Sequence, residues 1–552
     1  MIRMLLLTLS VLSASMCGAD TGALFPTSVK RDDWTTFRAD GYSKPACGVV
    51  YRLHNTVTNG LPLGGVDTGC IDLETSGLWG YITAFNSCAP RRGPLNTPAF
   101  GLSVGARTWV LCKVDPKDCR GDYQNGGAGK PIEPPFMGLK LEGVSRASEI
   151  HYWGHYPVVD MEFETDAPVS VGVRAWSPFI PGDVKDSMIP GAVFEVRLRN
   201  TSKSAQQGSF AMSFPGPSAK ESLTEKYVRR ELRALLQGVS VVTAKASYAL
   251  GVVGNEKARF GGELGADSSA WANFGTQLPK VEDSSPGSAA VVDFSLAPKE
   301  SKTVRFVLAW SAPVWNSAGA HSATGGSAFT HMYAKEYPNA VAAANALAKD
   351  HASLLKRVIA WQQVVYSENK LPVWLRDSLV NLLHLITETG MWAQKADPLP
   401  SWVRKEDGLF GMNESPRDCP QIECIPCSFY GQIPLVYFFP NLALSTLRGY
   451  KGYQDAEGSP PWVFGGCTAH SAYCDFAKPS RGYQVTMNSA CYIDILDRYL
   501  MCHDTDKALL KEFYPSVKKA TEFTMSLNKG PDGVISMPDH KVSEGGMPWE
   551  SE

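Results

Sequence analysis

The spacing of apolar residues changes once along the chain, near residue 328, and that change restricts the fold more than any other feature. From about residue 45 to 310 apolar residues alternate with others, as in Val169, Val171, Val173 and Ala175, in Phe194, Val196 and Leu198, and in Val304, Phe306 and Leu308. Period two predicts strands with one buried face. Gly and Pro punctuate the pattern at 178–190 and 283–288, so many short strands joined by turns are expected, as in a β-sandwich. After 328 the spacing is helical. His331 to Val365 is rich in Ala, Lys and Leu. A second helix is expected over 373–394, with Leu375, Leu379, Leu382, Leu383 and Ile386 on one stripe, and others near 427–448, 481–502 and 506–527. Helices without intervening strands predict an all-α unit. A chain of 552 residues is too long for one core. The expected division is therefore a β-sandwich over 45–325 and a helical domain over 328–552.

Arg3 precedes an apolar run from Met4 to Leu12, and small residues continue through Ala19. This reads as a signal peptide over residues 1–19, too short to span a bilayer, and predicts export to the periplasm or the extracellular space. No other segment resembles a membrane span. Export permits disulfides. After Cys17 the cysteines form two groups, one from Cys47 to Cys119 and one from Cys419 to Cys502, each odd in number. Cys112–Cys119 and Cys467–Cys474 are close enough to bridge, although sequence does not fix connectivity. Cys419, Cys424 and Cys427 offer sulfur ligands, but no regular CxxC pair accompanies them, and neither a metal nor a cofactor is expected. The formal net charge is -2 and no basic run stands out, which argues against a nucleic-acid partner. There is no nucleotide loop, no HExxH and no GxSxG elbow.

Three stretches together resemble glycoside hydrolase family 116, which includes non-lysosomal glucosylceramidase and bacterial β-glucosidases and β-xylosidases. Leu61 to Gly80, LPLGGVDTGCIDLETSGLWG, is similar to the Gly-rich opening of the family's N-terminal domain. Ala175 to Asn200 carries two irregular Pro turns before a strand ending in Asn, at the family's spacing. Asp407 to Ser415, DGLFGMNES, resembles the segment that ends in the family's nucleophilic Glu, and Ser428 to Tyr450 resembles the helix after it. The resemblance implies a sandwich packed on an (α/α)6 toroid, a retaining exo-β-glycosidase, and a carbohydrate or glycoconjugate substrate.

On this resemblance Glu414 is the nucleophile, on a loop between two helices. The family's Asn-Thr-Tyr-Asp run is replaced by CPQIECIPC, Cys419 to Cys427, with about one extra residue, and Glu423 stands in for a sugar-binding Asp. A His-Asp pair that would hold sugar hydroxyls falls where Trp462 and Val463 stand, so Trp462 becomes a stacking candidate. His470 and Asp475, in a Cys-bounded loop, and Asn488 are further candidates for sugar contacts. The acid/base belongs in a Thr-Tyr-Asp-x-Trp motif after an Asp-Gly loop that resembles Pro531 to Ile535. In place of that motif this chain has Glu544 to Glu552, EGGMPWESE. Trp549 matches the motif's Trp, Met547 falls at its Asp, and Glu550 or Glu544 is left as the acid/base.

Retaining hydrolysis needs two carboxyl groups about 5–5.5 Å apart, one attacking the anomeric carbon and one protonating the leaving oxygen. The acid must keep its proton near neutral pH, which burial or a neighbouring carboxylate achieves. An (α/α)6 ring needs six helix pairs, and only five or six helices are expected after 328, so the toroid is expected to be incomplete and the chain a C-terminally truncated form. Such a half-ring would expose apolar helix faces. Two other readings compete: a degenerate family member that binds carbohydrate without cleaving it, and an inverting toroid enzyme with wider carboxylate spacing.

Overall fold

The computed structural model describes residues 22–30, 33–52, 60–87, 92–113, 141–224, 226–266, 268–317, 326–415, 419–465, 475–481, 485–504 and 507–527. The signal segment, Cys88, Cys119, Cys467, Cys474, His470, Glu544, Met547, Trp549 and Glu550 lie outside the described residues.

The alternating segments form two stacked antiparallel sheets. An eight-stranded sheet runs in the order Glu149–His155, Val158–Glu164, Val169–Trp176, Gly191–Asn200, Ser301–Ser311, Ser247–Val253, Leu236–Val242, Val228–Arg233. The three segments marked by their alternation are adjacent in it, with Val171 opposite Leu198 and Val196 opposite Val304. A six-stranded sheet, ordered Ala258–Gly261, Ser288–Leu296, Gln206–Phe214, Phe100–Val104, Arg107–Val110, Ser145–Arg146, lies against it, antiparallel except at its last pair. Aromatic rings join the layers: Phe210 and Phe306 lie 5.9 Å apart, as do Phe100 and Phe194, and Trp79 meets Phe194 edge-on. Burial of such rings supplies the main driving force for the sandwich-like N-terminal region.

The outer face of the large sheet is buried as well. Helix Ala340–Tyr366 lies across it and brings Ala343, Ala344, Leu347, Leu354 and Val358 against Val193, Ala249, Val307 and Ala309. Small residues allow a close approach. A Cβ on Gly191 would stand 2.6 Å from Leu347 Cδ1 and 2.9 Å from the Leu308 carbonyl. The helix starts where Asn339 caps it, its side chain accepting from the Ala342 N–H at 2.9 Å.

The helical part departs from expectation in three places. The 373–394 segment is not one helix. It forms Val373–Asn381 and His384–Thr389, then strand Gly390–Ala393. Its stripe is split: Leu383 and Ile386 are in the core, but Leu379 and Leu382 are exposed, while Arg376 and Asp377 are buried. The helix docks by polar contacts, because Arg376 donates to the Tyr366 carbonyl and Asp377 accepts from Trp34 Nε1 and Asn381 Nδ2. Strands do intervene among the helices: Gly390–Ala393, Leu409–Ser415 and Cys419–Ile422 form a three-stranded antiparallel sheet. The 427–448 segment is two helices, Ile425–Phe438 and Pro440–Tyr453, divided at Phe439 because Pro440 has no N–H and restricts the residue before it. Helices Val485–His503 and Ala508–Ser526 fall where expected. Apolar side chains are exposed along two helical stretches, at Leu379, Leu382 and Leu385 and at Tyr430, Ile433 and Tyr437. Among the described residues no helix is long and apolar enough to cross a membrane.

One buried carboxylate links the two parts. Asp67, in the turn between strands Leu61–Gly64 and Cys70–Leu73, lies 2.6 Å from His331 Nδ1. It accepts from the backbone N–H groups of Met332 at 2.8 Å, Tyr333 at 3.3 Å and Trp392 at 2.7 Å. His331 Nε2 in turn lies 2.9 Å from Asn86 Oδ1. Burial raises the Asp67 carboxyl above its ordinary range, against the pull of His331 and the backbone donors. Asn at this position would turn an amide N–H₂ toward backbone donors. Asp67→Asn is therefore expected to cost about 3 kcal/mol, read as a lower urea midpoint; a change within about 0.5 kcal/mol, the usual range for a surface substitution, would deny the carboxylate this role.

Candidate active site

Strand Leu409–Ser415 is held along its length by its neighbours. The Phe410 N–H donates to Ser445 Oγ at 3.0 Å, and Thr446 Oγ1 donates to the Phe410 carbonyl at 3.1 Å. Met412 pairs with Gly390 on one side. On the other side Asn413 pairs with Ile422 and Ser415 with Cys419, with a bulge between. Glu414 sits at that bulge, exposed, rather than on a loop between helices as expected. Bulges re-aim side chains at strand ends, and here the neighbouring Asn413 is buried while Glu414 faces outward.

Glu414 lines a cavity of about 320 Å³. Met412 and Asn413 share its strand side. Cys424, Cys427, Ser428, Tyr430, Gly431 and Pro434, at and within the next helix, form a second wall, and Leu382, Leu385, Ile386 and Thr389 a third. Tyr430 is largely exposed beside Glu414 and is absent from the candidates read from the sequence. A signal for it exists, since Cys427, Tyr430, Gly431 and Pro434 follow the i, i+3, i+4, i+7 spacing of one helix face.

Glu423 does not face this cavity. Its backbone is left-handed, φ 55, and its side chain is fully buried. The carboxylate accepts from the Met412 N–H at 2.7 Å, Ser428 Oγ at 2.6 Å, Tyr450 OH at 2.9 Å and Gln432 Nε2 at 3.1 Å. The Glu423 N–H returns a bond to the Met412 carbonyl at 2.8 Å. With its acceptor positions taken by the protein, this side chain holds strand to helix instead of standing in for a sugar-binding Asp. Trp462 is likewise core: it is 4% exposed, and its backbone pairs with Ile425 and Ser480. Asn488, near the start of helix Val485–His503, is fully buried, as is Asp475. Of the residues expected from the sequence to act at a site, Glu414 is thus the one the described structure places on the cavity.

The sulfur atoms supply a grouping that cysteine spacing alone did not predict. Cys424 is the N-cap of helix Ile425–Phe438 and Cys427 lies in its first turn. Their Sγ atoms and a Glu414 carboxylate oxygen all lie within 4.8 Å of one another. The hydrogen bond with Cys427, burial, and the charge of Glu414 together push the Cys424 thiol far above its usual range. The Cys-x-x-Cys spacing at a helix start is the signal that the sequence carries.

Burial raises the Glu423 carboxyl above 4.5, its ordinary value, against the pull of Ser428, Met412, Tyr450 and Gln432. Between 4.5 and the raised native value, the native state therefore holds a proton that the unfolded chain has lost. The stability it contributes is full below 4.5 and falls as pH rises through the raised native value. Glu423→Gln should flatten that part of the stability-versus-pH curve, measured by urea midpoints, whereas Glu423→Ala should cost about 3 kcal/mol by leaving buried donors unpaired. An unchanged pH dependence in the Gln variant would contradict the raised carboxyl.

Comparison with known proteins gives two partial structural similarities and one family match. Two solved structures are similar in part: one described as a putative kojibiose phosphorylase from the human microbiome, at 10% identity and a TM-score of 0.36, covering 70% of this chain and 46% of that one; and a bacterial glucoamylase complexed with acarbose, at 11% identity and 0.40, covering 85% and 58%. The chain spans about half the length of these structures. The sequence model described as beta-glucosidase 2, glycosyl-hydrolase family 116 N-term, matches residues 60–357, from the strand before Asp67 across both sheets into the long helix. A match over more than half of the chain, beginning at the Gly-rich segment that the sequence had marked, establishes that this protein belongs to glycosyl-hydrolase family 116.

Proposed function

We propose that this protein is an exported retaining exo-β-glycosidase, of the β-glucosidase or β-xylosidase kind, with Glu414 as nucleophile. The observation that carries the reading is the position of Glu414: an exposed carboxylate at a strand bulge, opening on a cavity of about 320 Å³ with an exposed tyrosine beside it. The volume suits a single sugar ring at the lower end of ordinary ligand pockets. The Tyr430 ring offers an apolar face for the sugar's C–H surface.

In double displacement Glu414 attacks the anomeric carbon as the bond to the leaving oxygen breaks, giving a glycosyl ester. A second carboxyl group gives that oxygen its proton, then removes one from the water that cleaves the ester. On the family resemblance this group comes from the segment that holds Glu544 and Glu550, with Trp549 and His470 as further sugar contacts. We take residues 45–325 as the sandwich domain and 328–552 as part of an (α/α)6 toroid. The apolar run after Arg3 supports export.

A second reading, carbohydrate binding without cleavage, is favoured by one observation. Two side chains expected to contact sugar, Glu423 and Trp462, are instead committed to internal packing. The two readings separate on aryl β-glucosides and β-xylosides. Turnover with a product that first appears as the β-anomer by proton NMR supports the retaining enzyme, and Glu414→Gln should then lower kcat by about 10³-fold or more. Unchanged turnover in that variant would remove Glu414 from the chemistry. Saturable binding of the same glycosides with no turnover would favour the second reading.

A further inference from the structure

We propose that Glu414, Cys424 and Cys427 form a binding site for a thiophilic divalent cation, with zinc the best match. Two sulfurs and a carboxylate oxygen lie within 4.8 Å of one another. Zinc bonds thiolate sulfur at about 2.3 Å and carboxylate oxygen at about 2.0–2.2 Å, so tetrahedral coordination sets ligand atoms roughly 3.5–3.8 Å apart. Closing the remaining ångström or so requires only side-chain rotation of an exposed Glu and an exposed Cys.

The backbone already holds the three ligands in place. The Cys427 N–H donates to the Cys424 carbonyl at 2.9 Å, which keeps both cysteines in one helical turn. Cys424 is flanked by two fixed neighbours: Glu423, anchored by its buried carboxylate, and Ile425, whose N–H donates to the Trp462 carbonyl at 2.8 Å. Glu414 is set opposite by the bulged pairing of its strand with Cys419–Ile422. Three protein ligands leave a fourth position, and all three line the same cavity, so that position opens on a space large enough for water or a ligand atom. The donor set selects among metals. Two thiolates disfavour magnesium and calcium, which take oxygen ligands, and favour zinc and its analogues.

The site stands whether or not Glu414 attacks a sugar, and its test does not use glycoside turnover. If Glu414 is the nucleophile, a bound cation would draw its carboxylate away from the anomeric carbon, and metal and sugar would compete; that consequence alone rests on the preceding reading.

The experiment is a cobalt titration of the full chain, reduced with a phosphine and stripped with a chelator, monitored by thiolate-to-cobalt charge-transfer absorption and by displacement with zinc. The expected result is a thiolate band saturating at one equivalent and lost on adding zinc. Cys424→Ser and Cys427→Ser should each reduce the band to about half its intensity, and the double variant should abolish it. Glu414→Gln should retain the band while weakening binding about tenfold or more. Cys491→Ser and Cys502→Ser should behave as the unaltered chain. Near-ultraviolet circular dichroism checks that each variant is folded. Absence of a thiolate band in the reduced chain would overturn the proposal, as would a band that survives in a folded Cys424→Ser/Cys427→Ser double variant.

Discussion

Asp67 gathers hydrogen bonds from a histidine ring and three backbone N–H groups into a site closed to water, and the arrangement of the rest of the molecule depends on it. A carboxylate buried without partners would cost several kcal/mol. With these donors the cost is offset, but only if three distant stretches meet: the Gly-rich turn, residues 331–333, and Trp392. The Trp392 contact fixes strand Gly390–Ala393, and that strand sets the register of Leu409–Ser415. Glu414 is therefore positioned, two steps removed, by a residue in the first sheet layers of the chain.

Glu423 repeats the device on a smaller scale. A non-glycine residue in the left-handed region costs on the order of 1 kcal/mol, and a buried carboxyl adds to that. Donors from Met412, Ser428, Gln432 and Tyr450 offset both terms. They come from one strand and two helices, so the carboxyl acts as a joint among three elements. Similar buried pairs lie under the large sheet, where Arg174 grips Asp160 at 2.7 and 2.8 Å and Arg199 meets Glu162 at 2.6 Å. Burial alone would raise the Asp160 carboxyl, yet Arg174 and His155 hold it well below the usual range.

How much of this was legible in the sequence depended on how far apart the cause and its effect lie along the chain. Alternation at Val169–Ala175 and Phe194–Leu198 is local, and it placed the strands correctly. It could not reveal that both faces of that sheet are buried, because the covering helix begins at Ala340. The Leu spacing after Val373 continues smoothly to Ile386. What makes Gly390–Ala393 a strand is its pairing with Leu409–Ser415, and its Trp392 N–H is held by Asp67, more than 300 residues earlier. Resemblance of its flanking residues singled out Glu414, which lines the cavity. Glu423 resembled a site residue by its place in the family's run, and only its donors, spread over 412–450, show that its carboxyl is taken up inside the protein. The Cys-x-x-Cys spacing was legible, but the grouping was hidden because its third member is a carboxylate on strand Leu409–Ser415.

The bulge beside Glu414 has an effect on everything that comes after it. In extended chain, odd and even residues face opposite ways, so the parity of a residue count decides which side is presented. Between the pairs Asn413–Ile422 and Ser415–Cys419, two steps on one strand oppose three on the other. That odd step ends regular alternation between the strands, and past Ile422 the left-handed turn at Glu423 sends its carboxyl into the protein and sets Cys424, the helix N-cap, on the cavity. Removing one residue from Cys419–Ile422 would set two steps against two and let the strands pair without a bulge, withdrawing the irregularity at which Glu414 sits. The setting of the carboxylate on this cavity is thus tied to a single extra residue on the strand opposite.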